Sequence, residues 1–79
     1  MIKEWIKMTT KYELQYIDMI RKCKSYRKAQ KITQTEVADG MKVYQQDICR
    51  MENCSNIPSV IKFMEYLDSI GLKISLEEV

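Results

Sequence analysis

The sequence predicts an all-α protein, a compact bundle of four to five helices with a short strand-like end. Two observations carry this prediction. Apolar residues recur at helical steps through most of the chain, with capping signals between the runs. The 79 residues include only two glycines and one proline, too few for the turns of an all-β fold.

The elements follow in order. In residues 1–11, Ile2, Trp5 and Ile6 form one apolar face of a helical turn or a docking arm. From about Lys11 the pattern is helical: Tyr16, Ile20, Cys23 and Arg27 recur at steps of four, three and four, and this first long helix runs to about Gln30. Thr33 with Glu36 three residues later is a capping box, so a short helix starts at Gln34, buries Val37 and Ala38, and ends near Gly40 or Met41. A second short helix fits residues 45–53, with Ile48 and Met51 inward. Pro58 supplies a first-turn position for a last helix whose inner face is Val60, Phe63, Leu67 and Ile70, and Gly71 suits the left-handed residue after it. In residues 72–79 the period changes to two, with Leu72, Ile74 and Leu76 alternating with Lys73, Ser75 and Glu77, a strand signature. A lone strand on a helical domain invites a partner strand.

Residues 1–79 make one domain, and a domain this small buries only about 60% of its unfolded surface, so pairing with a copy or another protein would help it. No apolar run approaches the ~20 residues needed to span a bilayer. The start is broken by Lys3, Glu4 and Lys7 and does not read as a signal peptide, so a cytoplasmic protein without a membrane partner is expected. Cys23, Cys49 and Cys54 are odd in number and irregularly spaced, and there is no histidine. That argues for reduced thiols and against a metal site or cofactor, and it removes the commonest general base. No catalytic constellation is visible, and an enzyme is not expected.

The charge is uneven. Residues 1–39 carry nine Lys or Arg against five Asp or Glu, whereas residues 40–79 carry four against six. Arg21, Lys22, Lys24, Arg27, Lys28 and Lys31 form a run with no acid between Asp18 and Glu36. Such a run suits a phosphate backbone, or is simply a solvated helix face.

Two short helices with a tight connection are the geometry of a helix-turn-helix. Gln34, Val37, Ala38, Val43 and Ile48 fall where that unit needs a leading polar residue, two packed positions, an apolar turn residue and a core residue of the recognition helix. The stretch of residues 20–59 resembles the Xre, or Cro/repressor-type, helix-turn-helix family. The resemblance rests on Arg27, on Ile32-Thr33-Gln34-Thr35-Glu36-Val37-Ala38, on Val43-Tyr44-Gln45-Gln46-Asp47-Ile48, on Met51-Glu52-Asn53 and on Pro58-Ser59. It covers about half the chain and implies a bundle of the lambda-repressor-like type.

The resemblance implies roles residue by residue. Gln45 and Gln46 would read base edges in the major groove of double-stranded DNA, where glutamine pairs with adenine, and Arg50 would reach a guanine or a phosphate. Gln34 would donate to a phosphate at the start of the second helix. Asn53 would contact the backbone or cap its helix, and Tyr44, Lys42, Lys28 and Lys31 would add phosphate contacts. Arg27 and Glu52 would form a structural ion pair. Three positions depart from the family pattern: Lys42 and Cys54 replace glycines, which opens the prospect of a redrawn turn near Gly40, and Tyr44 replaces a Ser or Thr cap. The long basic helix and the chain's end resemble HigA-type antitoxins, which implies a homodimer on a palindromic operator and a RelE-like toxin partner; a stand-alone repressor is the other implied reading. The rival is a protein-interaction module that docks a partner through its C-terminal strand, with Trp5 as an anchor and no specific DNA binding.

Overall fold

The computed structural model describes residues 10–78. Four α-helices follow one another: α1 Lys11–Ala29, α2 Gln34–Met41, α3 Gln45–Glu52 and α4 Val60–Ser69. No strand occurs among the described residues. The arm or turn expected from Ile2, Trp5 and Ile6 lies outside them.

Three of the four helices begin at a residue whose side chain holds an unpaired N–H group. Thr10 and Glu13 make a reciprocal capping box at α1, with both contacts at 3.1 Å. Thr33 and Glu36 do the same at α2, also at 3.1 Å. At α4 the cap is Ser59, whose Oγ accepts from the Lys62 N–H at 3.2 Å. Pro58 is not in the first turn, as expected, but two residues before the first helical position, because Ser59 takes the cap; its fixed φ aims the chain at that cap. Caps of this kind contribute about 1 kcal/mol each.

All four helices also end the same way. The residue in left-handed geometry is Lys31 (φ 60°), Lys42 (φ 59°), Cys54 (φ 66°) and Gly71 (φ 87°) in turn. The next N–H then reaches back five residues: Ile32 to the Arg27 carbonyl, Val43 to Ala38, Ser55 to Arg50 and Leu72 to Leu67, at 2.8–3.1 Å. This is the Schellman closure, and only one of its four left-handed positions is glycine. Ile32, Val43 and Leu72, the residues just after the turn, are half-buried against the core. The helix α2 thus runs to Met41, and the turn is not redrawn at Gly40: Lys42 takes the left-handed geometry itself.

The core lies where the four helices meet. Ile20 and Cys23 of α1, Val37, Ala38 and Met41 of α2, Ile48 and Met51 of α3, and Phe63, Tyr66 and Leu67 of α4 are buried, with Ile70 just beyond. The side chain of Ala38 is small enough for α2 and α3 to cross closely. Tyr16 meets Phe63 edge-on at 5.9 Å, and Phe63 stacks on Tyr66 at 6.2 Å, arrangements that suit the ring quadrupole.

Two further expectations need correction. Val60 is not on the inner face of α4 but 70% exposed, and Tyr66 takes its place, so the buried set steps through 63, 66, 67 and 70. Residues 72–78 have no regular structure. Leu72 is consumed by the turn that closes α4, while Ile74 and Leu76 are exposed, and a single strand has no ladder to join within one chain.

Candidate nucleic-acid interface

A single buried carboxylate ties all four helices together. Glu52, at the end of α3, accepts from Arg27 of α1 through Nε at 2.7 Å and Nη2 at 2.9 Å. It also accepts from the Tyr66 hydroxyl of α4 at 2.6 Å and from Gln34 Nε2 of α2 at 3.0 Å. The third arm of the guanidinium, Nη1, donates to the Ile32 carbonyl at 2.6 Å. The Arg27 and Glu52 side chains are 6% and 1% exposed, so this is a bidentate ion pair out of water. Burial pushes the Glu52 carboxyl up, but the hydrogen bonds from Arg27, Tyr66 and Gln34 outweigh it and hold it below its ordinary value. Arg27 is held above its ordinary value chiefly by the hydrogen bond to Glu52. Tyr66 is raised by burial and by donating to the carboxylate. Tyr66 has no part in the sequence expectations: its partner lies fourteen residues away, and nothing local marks the contact.

The network continues to the surface. Glu52 only accepts, so Gln34 must turn its amide nitrogen inward and its Oε1 outward. That oxygen accepts from Gln45 Nε2 at 2.6 Å. The amide of Gln45, at the first position of α3, is therefore oriented through Gln34 by the buried carboxylate. Gln45 keeps its Oε1 and one N–H, the two groups a bidentate adenine contact requires. Gln34 keeps one N–H for a phosphate, the other being committed to Glu52.

The rest of α3 divides cleanly. Ile48, Met51 and Glu52 are buried, whereas Gln45, Gln46, Cys49 and Arg50 are exposed, as is Asn53 just after the helix. Asp47 accepts from the Tyr44 N–H at 3.1 Å and lies 3.9 Å from Arg50, an exposed and weak pair. The Tyr44 phenol is 80% exposed and makes no cap contact, so the start of α3 has only half a capping box. Asn53 is the residue after α3, and its Oδ1 accepts from the Ser55 N–H at 2.9 Å, a local turn contact.

The basic run is thinned by the structure. Arg27 is withdrawn into the ion pair, and Lys22 faces Asp18 one turn away at 3.0 Å. Arg21, Lys28 and Lys31 remain exposed and Lys24 is half-buried. Lys31 and Lys42 both stand on left-handed turns, at the ends of α1 and α2. The left-handed turn at Lys31 was missed in the sequence; its signal is an apolar residue, Ile32, directly before the next helix cap, as Val43 is before Tyr44.

Among the described residues no group of side chains is arranged to hold a metal ion, and no helix is long and apolar enough to cross a membrane. Comparison with family models, with curated proteins and with solved structures gives no match. The described residues make a small all-helical protein in which the exposed polar face of α3 is tied to a buried hydrogen-bond network.

Proposed function

We propose that the chain is a sequence-specific DNA-binding regulator of transcription, in which α2 and α3 form a helix-turn-helix and α3 enters the major groove. One observation carries this reading: Gln45 stands at the exposed start of α3 with its amide oriented by a relay that begins at a buried carboxylate. A solvated surface glutamine needs no such positioning, whereas a side chain that reads a base edge gains from having its rotamer set beforehand. Gln46 and Arg50 share the exposed face of α3 and complete the reading surface. Gln34, Asn53, Tyr44, Lys42, Lys28 and Lys31 contribute phosphate contacts around it. Two copies would present their α3 helices about 34 Å apart, one turn of DNA, to a palindromic operator. A repressor and an autoregulating antitoxin with a RelE-like toxin partner share this mechanism.

The test is selection of bound sequences from a random DNA pool, followed by binding measurements on the selected site. Gln45→Ala should relax base choice at one position, and Lys28→Ala should weaken all sequences alike. Unchanged specificity in both Gln45→Ala and Gln46→Ala would sink the assignment.

A second reading has its own observation. Residues 72–78 run without regular structure and leave Ile74 and Leu76 exposed, a segment able to add to a partner's sheet edge. A protein-interaction module of this kind would bind a partner tightly and DNA without any sequence preference.

A further inference from the structure

An apolar groove of about 380 Å³ lies between the first helix, the start of the last one and the tail. Tyr16 and Met19 of α1, Pro58 in the loop, Val60 and Phe63 of α4 and Ile74 of the tail wall it, and no side chain lining it is charged. Met19, Val60 and Ile74 are nevertheless 43%, 70% and 43% exposed. Apolar side chains gathered around one concavity mark a surface that something covers.

We propose that residues 1–9 fold back along α1 and that Trp5 seats in this groove, with Ile2 and Ile6 against its edges. Connection and reach favour this occupant. Thr10 is extended (φ −74°, ψ 161°) and its capping box ends α1 there, so the chain enters the helix at an angle and not along its axis. Tyr16 and Met19 stand six and nine residues beyond Thr10, about 9 and 14 Å along the helix. Trp5 is five residues ahead of Thr10 and reaches up to about 17 Å from it. The chemistry matches as well. Ile2, Trp5 and Ile6 stand at i, i+3 and i+4, with Lys3, Glu4 and Lys7 at other positions, so the apolar set can meet the groove while the charges stay in water. The volume is more than twice the roughly 150 Å³ that holds a benzene ring, which leaves room for an indole and a branched side chain. A second copy or a foreign peptide offering the same side chains would compete with a tethered segment, whose effective concentration is on the order of millimolar. On this inference the groove completes the chain's own core, and Trp5 is no free anchor for another protein.

Trp5 is the only tryptophan, so its fluorescence in the full chain reads the contact directly, with no DNA or partner present. Its emission should be blue-shifted, independent of protein concentration and weakly quenched by acrylamide. Met19→Glu and Val60→Glu, at exposed wall positions, should each move the emission to the red and raise the quenching, with the helical circular dichroism unchanged. The milder Val60→Ser should act in the same direction. Leu14→Glu, exposed and outside the groove, should change neither signal. Trp5→Ala and Val60→Ser should each lower the Tm, and the double variant should lose less than the two together, because both remove one contact. Emission typical of a solvated indole in the unaltered chain overturns the proposal, as does a blue shift that the groove substitutions leave in place. A blue shift that vanishes on dilution assigns the groove to a second copy, and strictly additive losses of Tm separate Trp5 from Val60; either result also overturns it.

Discussion

Arg27→Ala is the sharpest test of the buried network. The substitution removes three hydrogen bonds at once, two to Glu52 and one to the Ile32 carbonyl. It leaves a carboxylate that is 1% exposed with only Tyr66 and Gln34 as donors. Removing one partner of a buried ion pair costs about 3–5 kcal/mol, because the charge left behind remains desolvated. Lys28 is exposed, and replacing it by alanine should stay within about 0.5 kcal/mol. The difference, about 3 kcal/mol or more, corresponds to a Tm at least ~12 °C lower for Arg27→Ala in a domain of this size. Thermal melts followed by circular dichroism at neutral pH, with urea titrations alongside, read it directly. Adding Glu52→Leu to an Arg27→Met chain should recover part of the loss, since no charge stays buried. The recovery should be incomplete, because Tyr66 and Gln34 then lose their acceptor. Equal melting points for Arg27→Ala and Lys28→Ala would refute the argument that this pair holds α1 to α3.

Further outcomes follow from the same structure. Glu52 is held below its ordinary 4.5, so its stabilising contribution is present above that value and is lost as pH falls through the folded-state value; in Glu52→Gln the acid limb of a pH–stability curve should flatten. Tyr66 is raised above its ordinary 10.0, so its contribution holds below pH 10 and fades above it, and Tyr66→Phe should remove that alkaline fall. Gly40→Ala should stabilise by about 0.5–1 kcal/mol in urea titrations, because the helix gains alanine's propensity and the added carbon would meet Ser69 Oγ at an ordinary 3.7 Å. Tyr16→Phe should cost nothing or stabilise by about 1 kcal/mol, since it removes a buried hydroxyl that has no partner among the described residues and whose pKa burial pushes to about 12. Lys31→Gly, Lys42→Gly and Cys54→Gly should each stabilise by about 0.5–1 kcal/mol, the relief of left-handed strain less the added freedom of the unfolded chain. Alanine at the same three positions should not, and glycine variants no more stable than alanine ones would contradict the strain argument.

The helices were legible because their signals are local. Thr33 and Glu36 stand three apart, and Tyr16, Ile20 and Cys23 mark one face of α1 by spacing alone. The α4 register was harder: Val60 and Tyr66 are both apolar enough for the inner face, and only the position of Glu52 in space decides for Tyr66. The tail misled because alternation in Leu72, Ile74 and Leu76 states a preference, while a strand needs a neighbour. At the surface, the sequence located Gln34 and Gln45 but not their bond to each other, since side chains eleven residues apart meet only once α2 and α3 have crossed. The relay from Arg27 to Gln45 is thus a product of tertiary packing.

The left-handed lysines bear on what the chain trades away. Glycine at 31 and 42 would hold the same backbone path with less strain, but it would leave those two turns uncharged. Under the DNA reading, Lys31 and Lys42 put ammonium groups beside the phosphates, each able to steepen the salt dependence of binding by about 0.9 in slope. Melting temperature and affinity should therefore move in opposite directions in Lys31→Gly and Lys42→Gly, while Cys54→Gly, which removes no charge, should raise the first and spare the second. A chain with little stability to spare would then be holding two strained turns in order to keep its charge at the surface that needs it.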